Sequence, residues 1–288
     1  MPELPEVEVT RRRISPLLLG RSIRTVITTA PSYVFLTAPH LLEQKLTGRT
    51  FVALTRHGKY LLGQLDDGAR LLVHLGMTGQ LFGEGASSPR LLRRTANGTL
   101  GSCQQFEPDA HTHLILRFES GPAVFFRDTR KFGKVQWLAP DESSARLNKL
   151  GPDALHISGA TLHSRLKKRR GPLKSQLLDQ SVLAGAGNIY ADEALYLSRI
   201  RPTRMAHRVS LDSCRRLVDS LQQVLLRSIE TGGSSINDYV TPDGSDGGYQ
   251  DERHVYGLEG QPCKTCSTAI ARVVIGQRSA HYCPRCQR

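Results

Sequence analysis

Tyr60-Leu61-Leu62-Gly63-Gln64-Leu65-Asp66-Asp67-Gly68-Ala69-Arg70-Leu71-Leu72-Val73-His74-Leu75 sets two short apolar-rich runs on either side of an Asp-Asp-Gly turn. A tight glycine-containing turn between such runs predicts a β-hairpin. Runs of the same kind surround it: Ser22–Thr28, Phe51–Thr55, His113–Phe118, Ala123–Phe126 and Lys134–Leu138, with Glu119-Ser120-Gly121 as a second turn. The pattern predicts an antiparallel β-sandwich or barrel over residues 1–138.

Working outward, Pro2 to Leu19 carries Val7, Ile14, Leu17 and Leu18 at helical intervals, with Pro5 in the first turn and Gly20 as a stop. A helix starting at the terminus is expected. Residues 83–108 lack periodicity and read as a long surface loop. The polar stretch 139–153, with Pro140 and Pro152, reads as a linker. Residues 154–240 then become helical: Leu173–Asp179, Asn188–Ser198 and Ser210–Glu230, the last with Ser210 as N-cap and one apolar face through Leu217, Leu221 and Leu225. Residues 241–262 form a connection, flexible over Thr241–Gly248, to a cysteine-rich tail at 263–288. The fold class is α+β: an N-terminal helix with a β-sandwich, a helical domain, and a small C-terminal hairpin.

At 288 residues, 39% hydrophobic and 23% charged, the chain has the composition of a globular protein of two domains. It contains no apolar run near the roughly 20 residues that span a bilayer. Its start, with Glu3 and Glu6 and no basic-then-apolar stretch, does not read as a secretory signal, so a cytoplasmic, nucleoid-associated location without membrane contact is expected. The net charge of +13 favours polyanions as partners. The charge is clustered: Arg165, Lys167, Lys168, Arg169, Arg170 and Lys174 form one acid-free stretch, and Arg272, Arg278, Arg285 and Arg288 belong to another. A single run is most simply a solvated face; two shift the balance toward a binding surface.

Cys263-x2-Cys266 and Cys283-x2-Cys286 have the spacing of a four-thiolate zinc site, each pair offering two sulfurs to one tetrahedral ion. One structural Zn2+ is therefore expected. Disulfides would be the alternative, in an oxidising compartment. Cys103 and Cys214 lack such partners and read as a loop cysteine and a core cysteine. The residues between the knuckles read as two short strands joined near Gly276-Gln277-Arg278, which would put the Arg278 guanidinium at a hairpin tip. At the other end, removal of Met1 before Pro2 would leave a secondary amine, and an α-amino group with a pKa of about 7.7–8.0 is partly neutral near pH 7. Read alone, Pro2 and Pro5 do no more than start a helix.

Together, Pro2-Glu3-Leu4-Pro5-Glu6, His57-Gly58-Lys59-Tyr60, His74-Leu75-Gly76-Met77-Thr78-Gly79, Asp128-Thr129-Arg130-Lys131-Phe132-Gly133, Gly185-Ala186-Gly187-Asn188-Ile189-Tyr190-Ala191-Asp192-Glu193 and the four-cysteine tail resemble the formamidopyrimidine-DNA glycosylase family, in that order and over nearly the whole chain. The resemblance implies a bifunctional DNA glycosylase and abasic-site lyase of base excision repair, monomeric, that removes oxidised purines (8-oxoguanine, formamidopyrimidines) from double-stranded DNA carrying oxidised bases or abasic sites and cuts the strand by β,δ-elimination. It implies that the Pro2 amine attacks C1′, that Glu3 is the acid/base residue, and that Lys59 and Arg278 serve proton donation, phosphate contact and the later elimination. Met77, Arg130 and Phe132 match an intercalating trio. His111, Arg169, Lys174 and Asn188 match DNA contacts, the last two from a helix–two-turns–helix element, with N-capping as a rival role for Asn188. Glu6 and Tyr249 match the lesion pocket and its capping loop.

The chain departs from that pattern in places. Gly247-Gly248-Tyr249 stands where a Gly-Tyr-Phe run is common, and Thr129 and Lys131 where Pro and Arg are common. Two rivals are weighed: an endonuclease VIII-like glycosylase for oxidised pyrimidines, and a non-catalytic zinc-finger DNA-binding protein, which would lack Pro2, Glu3 or Lys59. All three residues are present.

Overall fold

A computed structural model describes residues 1–88, 105–236 and 239–288. The chain forms two compact units, Met1–Ser144 with Thr231–Gly248, and Ala145–Glu230 with Tyr249–Arg288. Cys103 and much of the 83–108 loop lie outside the described residues.

Among the described residues, the first unit begins with α1 (Leu4–Leu18) and holds α2 (Pro39–Leu46) and eight strands: β1 (Ile23–Thr28), β2 (Phe51–His57), β3 (Tyr60–Leu65), β4 (Arg70–His74), β5 (Gly79–Gly83), β6 (Thr112–Phe118), β7 (Val124–Asp128) and β8 (Lys134–Leu138). They form two antiparallel four-stranded sheets, ordered β1-β6-β7-β5 and β2-β3-β4-β8. The hairpin read from the sequence is β3–β4, in the register Tyr60↔His74, Leu62↔Leu72 and Gln64↔Arg70. Leu61, Leu65, Leu71 and Val73 from one sheet, and Leu114, Leu116, Val124 and Phe126 from the other, share a single core with Val7, Ile14 and Leu18 of α1. The sandwich is thus closed by burial from both sheets and from the first helix.

The sequence pattern does not reveal two of these elements. Helix α2 is eight residues long and buries only Pro39, Leu42 and Leu46, too short a period to stand out. Strand β5 is buried at every position, so it has no alternation to read.

Helix α1 is buried around much of its circumference, including Glu6, Glu8 and Thr10. Buried charges need partners. Glu8 accepts from Arg11 Nε at 2.9 Å and Nη2 at 2.8 Å, and from Arg12 Nε at 2.8 Å. It also accepts from Arg56 Nε of β2 at 3.2 Å, and Arg56 in turn donates to the Gly58 carbonyl at 2.8 Å. Burial alone would raise the Glu8 carboxyl, but the bonds from Arg11 and Arg12 and the charges of Arg11 and Arg56 override it and hold the group at about 2.

The stretch Thr241–Gly248, expected to be flexible, is pinned. Arg13 of α1 donates to Thr241 Oγ1 at 3.2 Å, to Asp243 Oδ2 at 2.6 Å and to Ser245 Oγ at 2.8 Å.

The second unit contains α3 (Gly159–Lys167), α4 (Leu173–Leu178), α5 (Asn188–Leu197), α6 (Leu211–Glu230) and a two-stranded antiparallel hairpin of β9 (Ala271–Ile275) and β10 (Arg278–Tyr282). Helix α3 runs into the basic stretch at Arg165 and Lys167 and buries only Gly159, Leu162 and Leu166, too few apolar positions to show a period in the sequence. The expected cap of α6 forms, with Ser213 N donating to Ser210 Oγ at 3.2 Å. Cys214 lies in the buried face of α6 as expected, and burial pushes its thiol up to about 11.

Because the Glu8 carboxyl is depressed in the folded chain, its stabilising contribution is complete above about pH 4.5 and is lost as pH falls toward 2. Urea denaturation between pH 6 and pH 3 checks this: Glu8→Gln should be less stable than wild type at pH 6, with the gap closing as the solution is acidified.

Candidate functional site

In the first unit, Glu3 and Glu6 form a reciprocal capping box at the start of α1, in which the Glu3 N–H donates to Glu6 Oε2 at 2.8 Å. Met1 is 44% exposed, while Pro2 and Glu3 are buried. Cleavage of Met1 would therefore remove an outer residue and leave the Pro2 nitrogen on a fixed helix start.

Glu6 does not present a free carboxylate. Its second oxygen accepts from the Ser234 N–H at 2.9 Å, and its carbonyl accepts from the Tyr239 hydroxyl at 3.1 Å. The side chain expected to line a lesion pocket acts as a staple between α1 and the segment 231–248.

Lys59 occupies the second position of a two-residue turn closed by the His57↔Tyr60 pair, with Gly58 at φ 56 ahead of it. A glycine at the first position of such a turn suits the primed geometry that matches strand twist. Lys59 is only 6% exposed. The Arg56–Gly58 bond anchors this turn on the side toward α1.

Met77, Arg130 and Phe132 come from two turns that abut. A Cβ on Gly76 would meet the Gly133 nitrogen at 2.5 Å, so the two backbones touch where only glycine fits. Phe132 is 50% exposed, Met77 half-buried, and the Arg130 guanidinium lies 4.9 Å over the Phe132 ring. Lys131 between them has φ 58, a left-handed residue that reverses the chain at the tip. His111 is half-buried, and its N–H donates to Asp109 Oδ1 at 3.0 Å. The turns hang from Asp128, which is fully buried and receives Thr78 Oγ1 at 2.5 Å, the Arg130 N–H at 3.2 Å and the Gly133 N–H at 2.7 Å.

In the second unit, the sulfurs of Cys263, Cys266, Cys283 and Cys286 all lie within 4.8 Å of one another, with Cys263–Cys286 at 3.9 Å and Cys266–Cys283 at 3.4 Å. Tetrahedral zinc with Zn–S bonds of about 2.3 Å calls for sulfurs about 3.8 Å apart. The four thiolates fit one structural zinc ion, which ties the ends of the β9–β10 hairpin. Gly276 and Gln277, both at positive φ, make its turn, and Arg278, exposed, opens β10.

Lys174 does not lie on the surface. Its side chain is fully buried and pairs with Asp192 Oδ1 at 2.7 Å, with a further donation to the Ser279 carbonyl. Asp192 Oδ2 accepts from the His281 N–H at 2.9 Å. An ammonium in this position braces the hairpin against α5 and is not presented to solvent. Its neighbour Glu193, also fully buried, accepts from the N–H groups of His254, Val255 and Tyr256 at 2.8–2.9 Å. Tyr249, expected in a lesion-capping loop, is 3% exposed and packs on Tyr190 with ring centroids 5.5 Å apart, so it is part of the packed interior.

Asn188 is the first residue of α5, and Gly187 takes the capping position. The Asn188 amide oxygen is buried with no hydrogen-bond partner among the described residues. Arg169 is half-exposed and donates to Asp179 Oδ2 at 3.0 Å.

Sequence reasoning missed Asp128, Thr78, Asp192, Glu193 and the Glu8–Arg56 pair. The signal for the Asp192-Glu193 pair was present: two adjacent acids inside an otherwise apolar helix imply buried carboxylates that must be met by donors.

Three family models match the chain: the formamidopyrimidine-DNA glycosylase N-terminal domain over residues 1–135, the formamidopyrimidine-DNA glycosylase H2TH domain over 150–240, and a zinc finger found in FPG and IleRS over 260–288. The chain belongs to the formamidopyrimidine-DNA glycosylase family. It is 38% identical to the formamidopyrimidine-DNA glycosylase of Solibacter usitatus and 39% identical to that of Xanthomonas oryzae pv. oryzae, each match covering 100% of both chains. Its structure is similar to that of the MutM (Fpg) protein from Thermus thermophilus, with TM-score 0.83, 38% identity and coverage of 99% of this chain and 98% of that one. It is also similar to a complex of the Lactococcus lactis Fpg with DNA containing an abasic site, with TM-score 0.84, 32% identity and full coverage of both chains. Among the described residues, no helix is long and apolar enough to cross a membrane.

Breaking the buried Lys174–Asp192 pair should cost far more than deleting it. Asp192→Ala should destabilise the chain by roughly 3–5 kcal/mol, and the double variant Lys174→Met/Asp192→Leu by much less. Chemical denaturation of the zinc-loaded protein measures both.

Proposed function

We propose that this chain is a bifunctional DNA glycosylase and abasic-site lyase of base excision repair that removes oxidised purines from duplex DNA. The observation that carries the reading is a proline at position 2, buried at the start of α1 behind an exposed Met1, in a chain that matches the family from end to end. Relatives solved on DNA with an abasic site or with carbocyclic 8-oxo-G support damaged duplex DNA as the substrate.

In this reading Met1 is removed and the Pro2 secondary amine attacks C1′ of the damaged nucleotide. The C1′–N bond breaks, the base departs with a proton, and an iminium joins Pro2 to the opened sugar. The iminium draws electrons from C2′, so loss of a C2′ proton expels the 3′ phosphate, and a second elimination expels the 5′ phosphate. Attack of water on the iminium carbon then releases the sugar remnant as its aldehyde and frees the Pro2 amine. Glu3, the N-cap of α1 and the residue next to the nucleophile, is the acid/base group for sugar opening. Lys59 supplies a proton donor and a phosphate contact, and exposed Arg278 clamps phosphate, a role suited to a guanidinium that stays protonated.

Extruding a nucleotide costs a few kcal/mol and leaves a gap in the stack. Met77 and Phe132 fill it, and Arg130, stacked on Phe132, bonds the base left behind. His111, Arg169 and Asn188 contact the backbone, Asn188 through an amide whose oxygen is otherwise unmatched. Lys174 acts on DNA only indirectly, by bracing the hairpin that carries Arg278. The zinc ion is structural. The chain acts as a monomer in the bacterial cytoplasm, on nucleoid DNA. The division of the sequence into 1–138, 154–240 and 263–288, with connections at 139–153 and 241–262, follows these tasks.

Borohydride reduction with an 8-oxoguanine duplex should trap a covalent protein–DNA adduct. A chain that keeps Met1, whose Pro2 nitrogen is then an amide, should trap none. Absence of an adduct with the processed wild type would reject the lyase, and faster excision of thymine glycol than of 8-oxoguanine would reject the purine preference in favour of oxidised pyrimidines.

A further inference from the structure

We infer that Thr78 and Asp128 are positioning residues that lock the Met77 turn and the Arg130–Phe132 turn into one rigid wedge, so that the two enter the duplex together. This rests on the proposed role of Met77, Arg130 and Phe132 in filling the opened stack.

The geometry is specific. Asp128 closes β7 with no exposure, and its two oxygens divide the work. Oδ2 takes the Gly133 N–H at 2.7 Å, fixing the far end of the Arg130–Phe132 turn. Oδ1 takes Thr78 Oγ1 at 2.5 Å, reaching the residue next to Met77 in the other turn. The Arg130 N–H closes the triangle, donating to both Thr78 Oγ1 and Asp128 Oδ1 at 3.2 Å. The Met77 turn is itself closed by Gly79 N to Leu75 O at 2.8 Å. Backbone contact at Gly76 leaves no gap between the turns.

Behind the lock stands His113, 2% exposed, with Nδ1 3.1 Å from Thr29 Oγ1 and Nε2 3.0 Å from the Asp128 carbonyl. Burial lowers its pKa and keeps the ring neutral, which suits donation from Nε2 to that carbonyl and acceptance at Nδ1. Asp128 is thus held by backbone and side chain at once. The Thr78 hydroxyl reaches from the Met77 turn to both Asp128 Oδ1 and the Arg130 N–H, and removing it takes away that side-chain link while leaving each turn's own internal bonds in place.

A wedge matters only where there is a stack to fill. Cleavage of an abasic site in single-stranded DNA needs the Pro2 chemistry but no gap filling; cleavage in duplex DNA needs both. Thr78→Val keeps the shape and removes the hydroxyl. It should lower kcat/KM on the duplex abasic site by about ten- to a hundredfold, leave the single-stranded rate unchanged, and be rescued by Thr78→Ser. Asp128→Asn should show the same split. Equal losses on both substrates would mean a merely structural role, and no loss on the duplex would mean the turns need no lock; either overturns the inference. A wild type inactive on both substrates would instead reject the proposed function. Should Thr78→Val fail to fold, hydrogen exchange on the wild type decides: the Gly79, Arg130 and Gly133 amides should open as one unit, and independent opening would overturn the lock.

Discussion

A carboxylate taken out of water is costly unless donors meet it, and this fold is held at its critical joints by acids that are buried and met. Glu6 and Glu8 on α1, Asp128 at the end of β7, and Asp192 and Glu193 on α5 are each at most 7% exposed. Glu6 ties α1 to Ser234, and Glu8 ties it to Arg56. Asp128 ties two turns together, Asp192 joins α5 to the zinc hairpin, and Glu193 joins α5 to the turn at 254–256. Apolar burial supplies most of the driving force for folding but is non-directional. Buried hydrogen-bonded charges fix register, because any slip strands an ion.

The joints fall beside the residues proposed to do chemistry. The capping box fixes the start of α1 next to Pro2, and the Glu8–Arg56–Gly58 chain anchors the turn that carries Lys59. Exposed, reaching side chains such as Arg130, Phe132 and Arg278 are thereby mounted on stiff bases. Groups that act on a substrate are often few, while those that hold them still are many and invisible from solvent.

Much of this was legible in the sequence. The hairpin at 60–75, helix α1 with its stop at Gly20, the capped face of α6 and the four-cysteine hairpin all follow from periodicity, turn chemistry and spacing. What was not legible has physical causes. Strand β5 has both faces buried and so no alternation, α2 is too short to show a period, and α3 buries too few apolar residues before it runs into the basic stretch. For the site, residue type and order were readable, but burial was not: Lys174 and Tyr249 look like contact residues in a string of letters and are interior in three dimensions. The staple role of Glu6 depends on a partner 228 residues away, a distance at which local pattern says nothing.

That distance has a consequence for how the molecule is made. The first unit is not a contiguous piece of sequence, since Thr231–Gly248 belongs to it. During synthesis the β-sandwich strands are complete by Leu138, yet Glu6 has no Ser234 and Arg13 no Asp243 until nearly the whole chain has left the ribosome. Loop closure over so long a separation is slow and entropically costly. The end of α1 next to the proposed nucleophile therefore acquires its last native contacts late, after the sheets that will carry it, and a nascent chain interrupted at Ser144 would hold a sandwich without a finished amino terminus.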